Sequence, residues 1–182
     1  MIEVRWHARG GQGGFTAAKL LGLAASVFGD NYAQAFPSFG PERRGAPVLG
    51  FTRVDNKPIG DHSQVYECDY VVVLDETLME VVNVTSGLKE GGILLINSKS
   101  SPESFGFKEN FKVITLNATD IAEEELKAPI TNTTMMGALA AVADFVSIES
   151  VLKAIDKGMS ENLREKNKRA VLRAYNTLRG VK

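Results

Sequence analysis

The chain has 182 residues, 44% hydrophobic and 24% charged, with 21 Lys and Arg balanced by 22 Asp and Glu. Such a composition can bury a core and excludes disorder, while a formal net charge of -1 gives no global field for holding a polyanion, which sets nucleic acid aside as a partner. The single cysteine, Cys68, cannot form an internal disulfide or hold an iron–sulfur cluster by itself, and no apolar run reaches the roughly 18 residues of a membrane span, so a soluble cytoplasmic protein is expected.

From Ile2 to Ala8 the residues alternate, with Ile2, Val4, Trp6 and Ala8 on one side and Glu3, Arg5 and His7 on the other. A period of two predicts a strand with one face covered. Charged residues interleaved from Glu3 to Arg9 also deny the N-terminus the apolar core of a signal peptide. Gly10-Gly11-Gln12-Gly13-Gly14 then breaks the pattern, and Phe15 to Phe28 reads as a helix with Ala18, Leu21, Ala25 and Phe28 on one stripe. Between Asp30 and Pro47 neither period holds, and prolines 37, 41 and 47 suggest an irregular arm, of the kind used for binding or contact. Val48 to Val54 reads as a strand, and Asp55-Asn56-Lys57 as a turn into a hairpin whose second arm carries Pro58 and Ile59.

Tyr70 to Leu74 is a continuous apolar run, which predicts a strand buried on both faces, with Asp75 at its end and a short helical stretch to Val82. Leu88 to Gly92 reads as a turn, followed by buried strands at Ile93–Asn97 and Lys112–Leu116. Asn117 or Thr119 can cap a turn running to Leu126; an apolar helix is predicted over Thr133–Phe145, another from Ser147 to about Lys157, and a last one from Ser160 to before Gly180. The basic residues of that last helix read as a solvated face. Strands interleaved with helices predict an α/β fold, a single three-layer domain over residues 1–182 with a mixed, mostly parallel sheet and helices on both faces.

Three segments carry candidate chemistry. Gly10, Gly11, Gln12, Gly13 and Gly14 join a strand to a helix, leaving backbone N–H groups at a helix N-terminus where an anion can approach; a tight packing turn is the alternative. As a dinucleotide fingerprint the loop is broken, because counting from Gly11 puts Thr16 at the third glycine position and no acidic residue ends a second strand about 20 residues on. The arm carries Phe36, Pro37, Phe39, Pro41 and Glu42 as interface candidates, with Arg43 and Arg44 able to grip carboxylate or phosphate. Asn132 lies in a polar cluster, Thr131 to Thr134, that opens an apolar helix and could simply cap it. His7 and His62 lack a nucleophile with supporting spacing, and Asp75 fits a cap at least as well as a ligand site. No catalytic or metal site can be written from these residues.

The segments Ile2–Gly14, Tyr32–Pro47 and Asn132–Ala140, in that order, resemble the gamma subunit of the 2-oxoacid:ferredoxin oxidoreductases, and within them the pyruvate or ketoisovalerate type. The resemblance implies a subunit of an enzyme that oxidatively decarboxylates a 2-oxoacid, forms acyl-coenzyme A and passes electrons to ferredoxin through iron–sulfur clusters. It further implies thiamine diphosphate with Mg between alpha and beta chains, and clusters held by beta and delta chains. The chain would then contribute structural contacts and contacts on the coenzyme A side, with Gly10 to Gly14, Arg43, Arg44 and Asn132 as the candidates. A purely architectural assembly subunit, or a stand-alone nucleotide-binding protein, are the competing expectations.

Overall fold

The computed structural model describes residues 1–38, 44–107 and 110–181. One six-stranded sheet organises them, built from β1 (Ile2–Arg9), β2 (Tyr32–Pro37), β3 (Pro47–Asp55), β4 (Cys68–Val73), β5 (Leu88–Asn97) and β6 (Lys112–Leu116), in the order β2-β3-β1-β4-β5-β6. Strand β3 runs antiparallel to both its neighbours, whereas β1, β4, β5 and β6 pair in parallel. The mixed, mostly parallel α/β sheet expected from the sequence is the one found.

The period of two in β1 sorts its side chains between two cores. Val4, Trp6 and Ala8 join Val72, Leu95, Ile114 and Leu116 on one face, and all five α-helices pack there: α1 (Gly14–Ser26), α2 (Ala118–Leu126), α3 (Asn132–Val142), α4 (Ile148–Gly158) and α5 (Glu161–Leu178). Trp6 is fully buried in that layer, its indole N–H donating to Thr52 Oγ1 at 3.2 Å, and Thr52 in turn donates to the Ala18 carbonyl of α1. The opposite face, with Val71, Val73, Leu94 and Ile96, is covered by connections that contain 3₁₀ turns at Glu76–Glu80 and Pro102–Phe105. Where the sequence led to the expectation of helices on both faces, all five α-helices lie on one and, among the described residues, only short 3₁₀ turns cover the other. The connections of 14 residues that join β4 to β5 and β5 to β6 are long enough to cross to the next parallel strand, and their described residues hold 3₁₀ turns in place of an α-helix.

Four local expectations need correction. Tyr32–Pro37, read as part of an irregular arm, is the edge strand β2: Ala33 and Ala35 lie against Gly22 of α1, while Phe36 turns to the other face and meets Phe51 with ring centroids 5.3 Å apart. Pro37 closes the strand at the sheet margin, where no further strand needs its missing N–H. The expected hairpin after β3 does not form, since β2 and β1 already flank β3; the Pro58–Ile59 stretch is instead held by side chains, Gln34 Nε2 donating to the Ile59 carbonyl at 3.1 Å. Leu88 to Gly92, read as a turn, is the first half of β5, with Leu88 opposite Cys68 and Ile93 opposite Tyr70, so the glycine pair makes an irregularity within the strand. Helix α3 stops at Val142, short of Phe145, because Ala143 is already extended.

Topology places the functional end of the molecule. After β1 the chain crosses by α1 to β2 on one side of the sheet; after β4 it winds to β5 and β6 on the other, over the opposite face. The winding reverses between β1 and β4, and the carboxyl ends of those two strands bound the crevice where open α/β sheets hold ligands.

Candidate functional site

Arg9 ends β1, and the loop after it is fixed at both edges. Gln12 N donates to the Arg9 carbonyl at 2.9 Å, closing a turn, while Gly10 N donates to the Ala46 carbonyl at 2.8 Å and Gly45 N to the Gly10 carbonyl at 3.0 Å. Gly10 and Arg44 thus form an isolated parallel bridge, bringing the glycine loop and the end of the arm side by side. Gly13 is the N-cap of α1 at φ 78, left-handed, and offers no side chain to the helix N–H groups behind it. A Cβ there would sit 2.4 Å from Asn132 Nδ2, which donates to the Gly13 carbonyl at 3.3 Å. Both the backbone conformation and the close approach require glycine. Gly11 is exposed at the tip, and Gly14 is buried as the first residue of α1.

Asp75 faces this loop from the end of β4. Its Oδ2 accepts from Arg9 Nε at 3.1 Å and Gln12 Nε2 at 3.0 Å; its Oδ1 accepts from Thr77 N at 3.0 Å and Thr77 Oγ1 at 2.6 Å. Partial burial works to raise the Asp75 carboxyl, but the donors from Thr77 and Gln12, with the Arg9 charge, outweigh it and hold the group below its ordinary range. Arg9 reaches further, with Nη1 donating to the Gly45 carbonyl at 3.1 Å and Nη2 to Thr77 Oγ1 at 2.7 Å.

Beyond Asp75 a cleft of about 460 Å³ opens along the carboxyl ends of the strands, lined among others by Gln12, Glu76, Ser98, Thr119 and Thr131. Its wall is set by Asn97, whose Oδ1 accepts from Ala118 N at 2.9 Å and Thr119 N at 3.2 Å, and whose Nδ2 donates to the Leu74 carbonyl and Thr119 Oγ1, each at 3.0 Å. One amide therefore joins β4, β5 and the start of α2. Ser98 donates to Glu76 beside it.

Of the residues singled out in the sequence, Gly10, Gly11, Gln12, Gly13, Gly14, Arg44 and Asn132 converge at this end of the sheet, with Arg44 exposed and Asn132 buried. Phe36 is half-buried, with the Arg53 guanidinium 5.2 Å from its ring centre, and Pro37 is exposed. Phe39, Pro41, Glu42 and Arg43 lie outside the described residues. Sequence reasoning did not single out Arg9, Asn97 or Ser98 for this site and read Thr119 only as a possible cap; a polar residue ending an apolar strand run, as Asn97 and Ser98 do after Leu94-Leu95-Ile96, was the available signal.

The remaining reactive side chains are engaged elsewhere. His7 is buried on the 3₁₀ face, accepting from Arg5 Nε at 3.1 Å, and burial together with the Arg5 charge pushes its pKa down to about 3. Cys68 is buried, and its thiol is pushed up to about 11, mainly by desolvation. Among the described residues no three His, Cys, Asp or Glu side chains are grouped so as to hold a metal ion, and no helix is long and apolar enough to cross a membrane. What this end of the molecule offers is backbone N–H groups, an exposed guanidinium and a rigid polar scaffold.

A family model described as pyruvate ferredoxin/flavodoxin oxidoreductase matches residues 3–177. The chain is 52% identical over 178 residues to the pyruvate/ketoisovalerate oxidoreductases common subunit gamma of Pyrococcus furiosus, covering 96% of each chain. It is 50% identical over 179 residues to pyruvate synthase subunit PorC of Methanothermobacter marburgensis, covering 98% of each. Among solved structures, pyruvate oxidoreductase subunit PORC of Thermotoga maritima superposes with a TM-score of 0.82 at 41% identity, covering 96% of this chain and 95% of that one.

Proposed function

The chain belongs to the pyruvate ferredoxin/flavodoxin oxidoreductase family, and we propose that it works as the gamma subunit of a complex that oxidatively decarboxylates a 2-oxoacid, with pyruvate the foremost candidate. The products are acyl-coenzyme A and electrons delivered to ferredoxin. In this reading the chain provides contacts on the coenzyme A side and to the other subunits, in the cytoplasm.

The observation that carries the reading is the convergence of the Gly10–Gly14 loop, Arg44 and Asn132 at the carboxyl edge of the sheet, within a chain whose single cysteine and His7 are buried. Backbone N–H groups at the start of α1 and an adjacent guanidinium favour an anionic ligand, and coenzyme A carries its phosphates at one end. The donor set does not fit the other groups of such an enzyme: one buried cysteine cannot ligate a cluster, and the described acidic side chains form no metal group for a magnesium diphosphate. In the proposed complex, as the family resemblance implies, thiamine diphosphate with Mg lies between alpha and beta chains and the iron–sulfur clusters are held by beta and delta chains. No catalytic residue is assigned to this chain.

Arg44→Ala in the reconstituted complex tests the proposal. Coenzyme A dependence is expected to weaken while the 2-oxoacid dependence stays as it was. Unchanged coenzyme A dependence together with unchanged subunit association would remove Arg44 from the site and leave an architectural subunit as the better description.

A further inference from the structure

Asp75 stands where α/β sheets bind ligands, so the first question is whether it is free to do so. An ionised carboxylate has about four acceptor positions. In this structure four donors fill them: Arg9 Nε, Gln12 Nε2, Thr77 N and Thr77 Oγ1. Asp75 has no capacity left for a ligand, and its role is internal.

The other half of the pair is differently placed. Arg9 uses Nε on Asp75, Nη1 on the Gly45 carbonyl and Nη2 on Thr77 Oγ1, so a single planar fork fastens the end of β1 to the β4 turn and to the segment that follows the arm. Its backbone N–H donates to Gln12 Oε1 at 2.7 Å, and Gln12 Nε2 donates onward to the same Asp75 oxygen that takes Arg9 Nε. The glycine loop is thereby gripped from inside by Gln12 and from outside by the guanidinium. A glycine-rich loop has little conformational preference of its own, and unclamped it would sample many states that present its N–H groups in the wrong directions. Holding those groups in one geometry before a ligand arrives reduces the ordering cost of binding.

We propose that Arg9 is a positioning residue. Through Asp75, Thr77 and the Gly45 carbonyl it fixes the Gly10–Gly14 loop and residues 44–46 in the arrangement that receives the acyl-acceptor cofactor, an inference that rests on the function proposed above. A lysine cannot substitute: one ammonium on a flexible stem is unable to reach three acceptors on two segments, the Asp75–Thr77 turn and Gly45, in a fixed plane.

The test uses the assembled complex with Arg9→Ala, Arg9→Lys and Asp75→Asn, and Arg44→Ala in parallel. Two quantities are read: hydrogen exchange at the Gly10, Gln12 and Gly45 amides, and the KM values for coenzyme A and for the 2-oxoacid. Both Arg9 variants are expected to exchange faster at those amides and to raise the KM for coenzyme A at least about tenfold, with kcat at saturating coenzyme A and the 2-oxoacid KM retained. Asp75→Asn is expected to move both readings in the same direction by less, because three of the four contacts have a neutral amide oxygen or a Thr77 hydroxyl to fall back on. The proposal is overturned by Arg9→Lys behaving as wild type, by unchanged exchange, or by faster exchange with an unchanged KM for coenzyme A. Should Arg9→Ala fail to assemble, the lysine and asparagine variants decide the matter alone. An Arg44→Ala complex with normal coenzyme A dependence beside impaired Arg9 variants would remove Arg44's contact and leave Arg9 standing; the converse pair would do the opposite.

Discussion

Among individual residues, the buried charged groups on the 3₁₀ face make the firmest predictions. Arg53 is 1% exposed and its Nε donates to Glu3 Oε1 at 2.8 Å, while the exposed Asp61 is a more distant partner at 3.7 Å. Glu3→Ala would leave the buried guanidinium with the distant, exposed Asp61 carboxylate as its one charged partner beside carbonyl, hydroxyl and ring contacts, and should cost about 3 kcal/mol in a urea titration. A loss below about 1 kcal/mol would mean that the Asp61 carbonyl and the Phe36 ring suffice. His7 predicts a pH dependence. Its folded pKa of about 3 lies below the ordinary 6.5, so below pH 6.5 the unfolded chain binds a proton that the folded chain refuses. The stabilising effect is complete above pH 6.5 and is lost as pH falls toward 3, at up to about 1.4 kcal/mol per pH unit. His7→Gln keeps an acceptor for Arg5 and removes the titration. Its stability should stay nearly flat between about pH 6.5 and 5.5, above the range in which carboxylates of the unfolded chain begin to take up protons, whereas the wild-type curve slopes. Equal slopes in the two proteins would contradict the burial of a neutral imidazole.

Whole elements differ in how plainly the sequence announced them. Strand β4 and the end of β5 were legible because Tyr70–Leu74 and Ile93–Ile96 are uninterrupted apolar runs, and the caps of α2 and α4 because Asn117 and Ser147 each precede a helical stretch; both side chains do accept from the third residue on. Strand β2 was hidden because its helix-facing positions are Ala33 and Ala35, which signal neither period, and its pairing depends on β3, a neighbour reached only after the intervening arm. The grouping of α3 with α5 was equally silent. All eleven residues of α3 are buried, so no polar face marks its orientation, and what fixes the contact is Gly137, where a Cβ would lie 2.4 Å from the Val171 carbonyl oxygen. Gly137→Ala should therefore destabilise the chain by about 1–3 kcal/mol, although alanine is the better helix former by about 1 kcal/mol. Thermal unfolding gives the answer, and a raised Tm would show that the two helices part without strain. The candidate site divides the same way: Gly10 to Gly14, Arg44 and Asn132 could be named from residue type, and Asp75 as a cap, which it provides to Thr77 N, while Arg9, Asn97 and the further role of Asp75 rest on contacts made across 63 to 66 positions, as between Gln12 or Arg9 and Asp75, or across about 22, as between Asn97 and α2.

Taken as a whole molecule, the fold gathers the Gly10–Gly14 loop, Arg44, Asp75 and Asn132 at the crevice between β1 and β4 and buries Cys68 and His7 away from it. That arrangement suits the partner-dependent subunit proposed above, and the apolar side chains of Phe15 and Ile130 are exposed near the crevice. The most direct measurement is turnover by the purified chain supplied with pyruvate, coenzyme A and a ferredoxin or dye acceptor, before and after addition of the other subunits. The account predicts no acyl-coenzyme A from the chain alone and coenzyme A-dependent turnover once the complex is assembled. Acyl-coenzyme A formed by the isolated chain would contradict it.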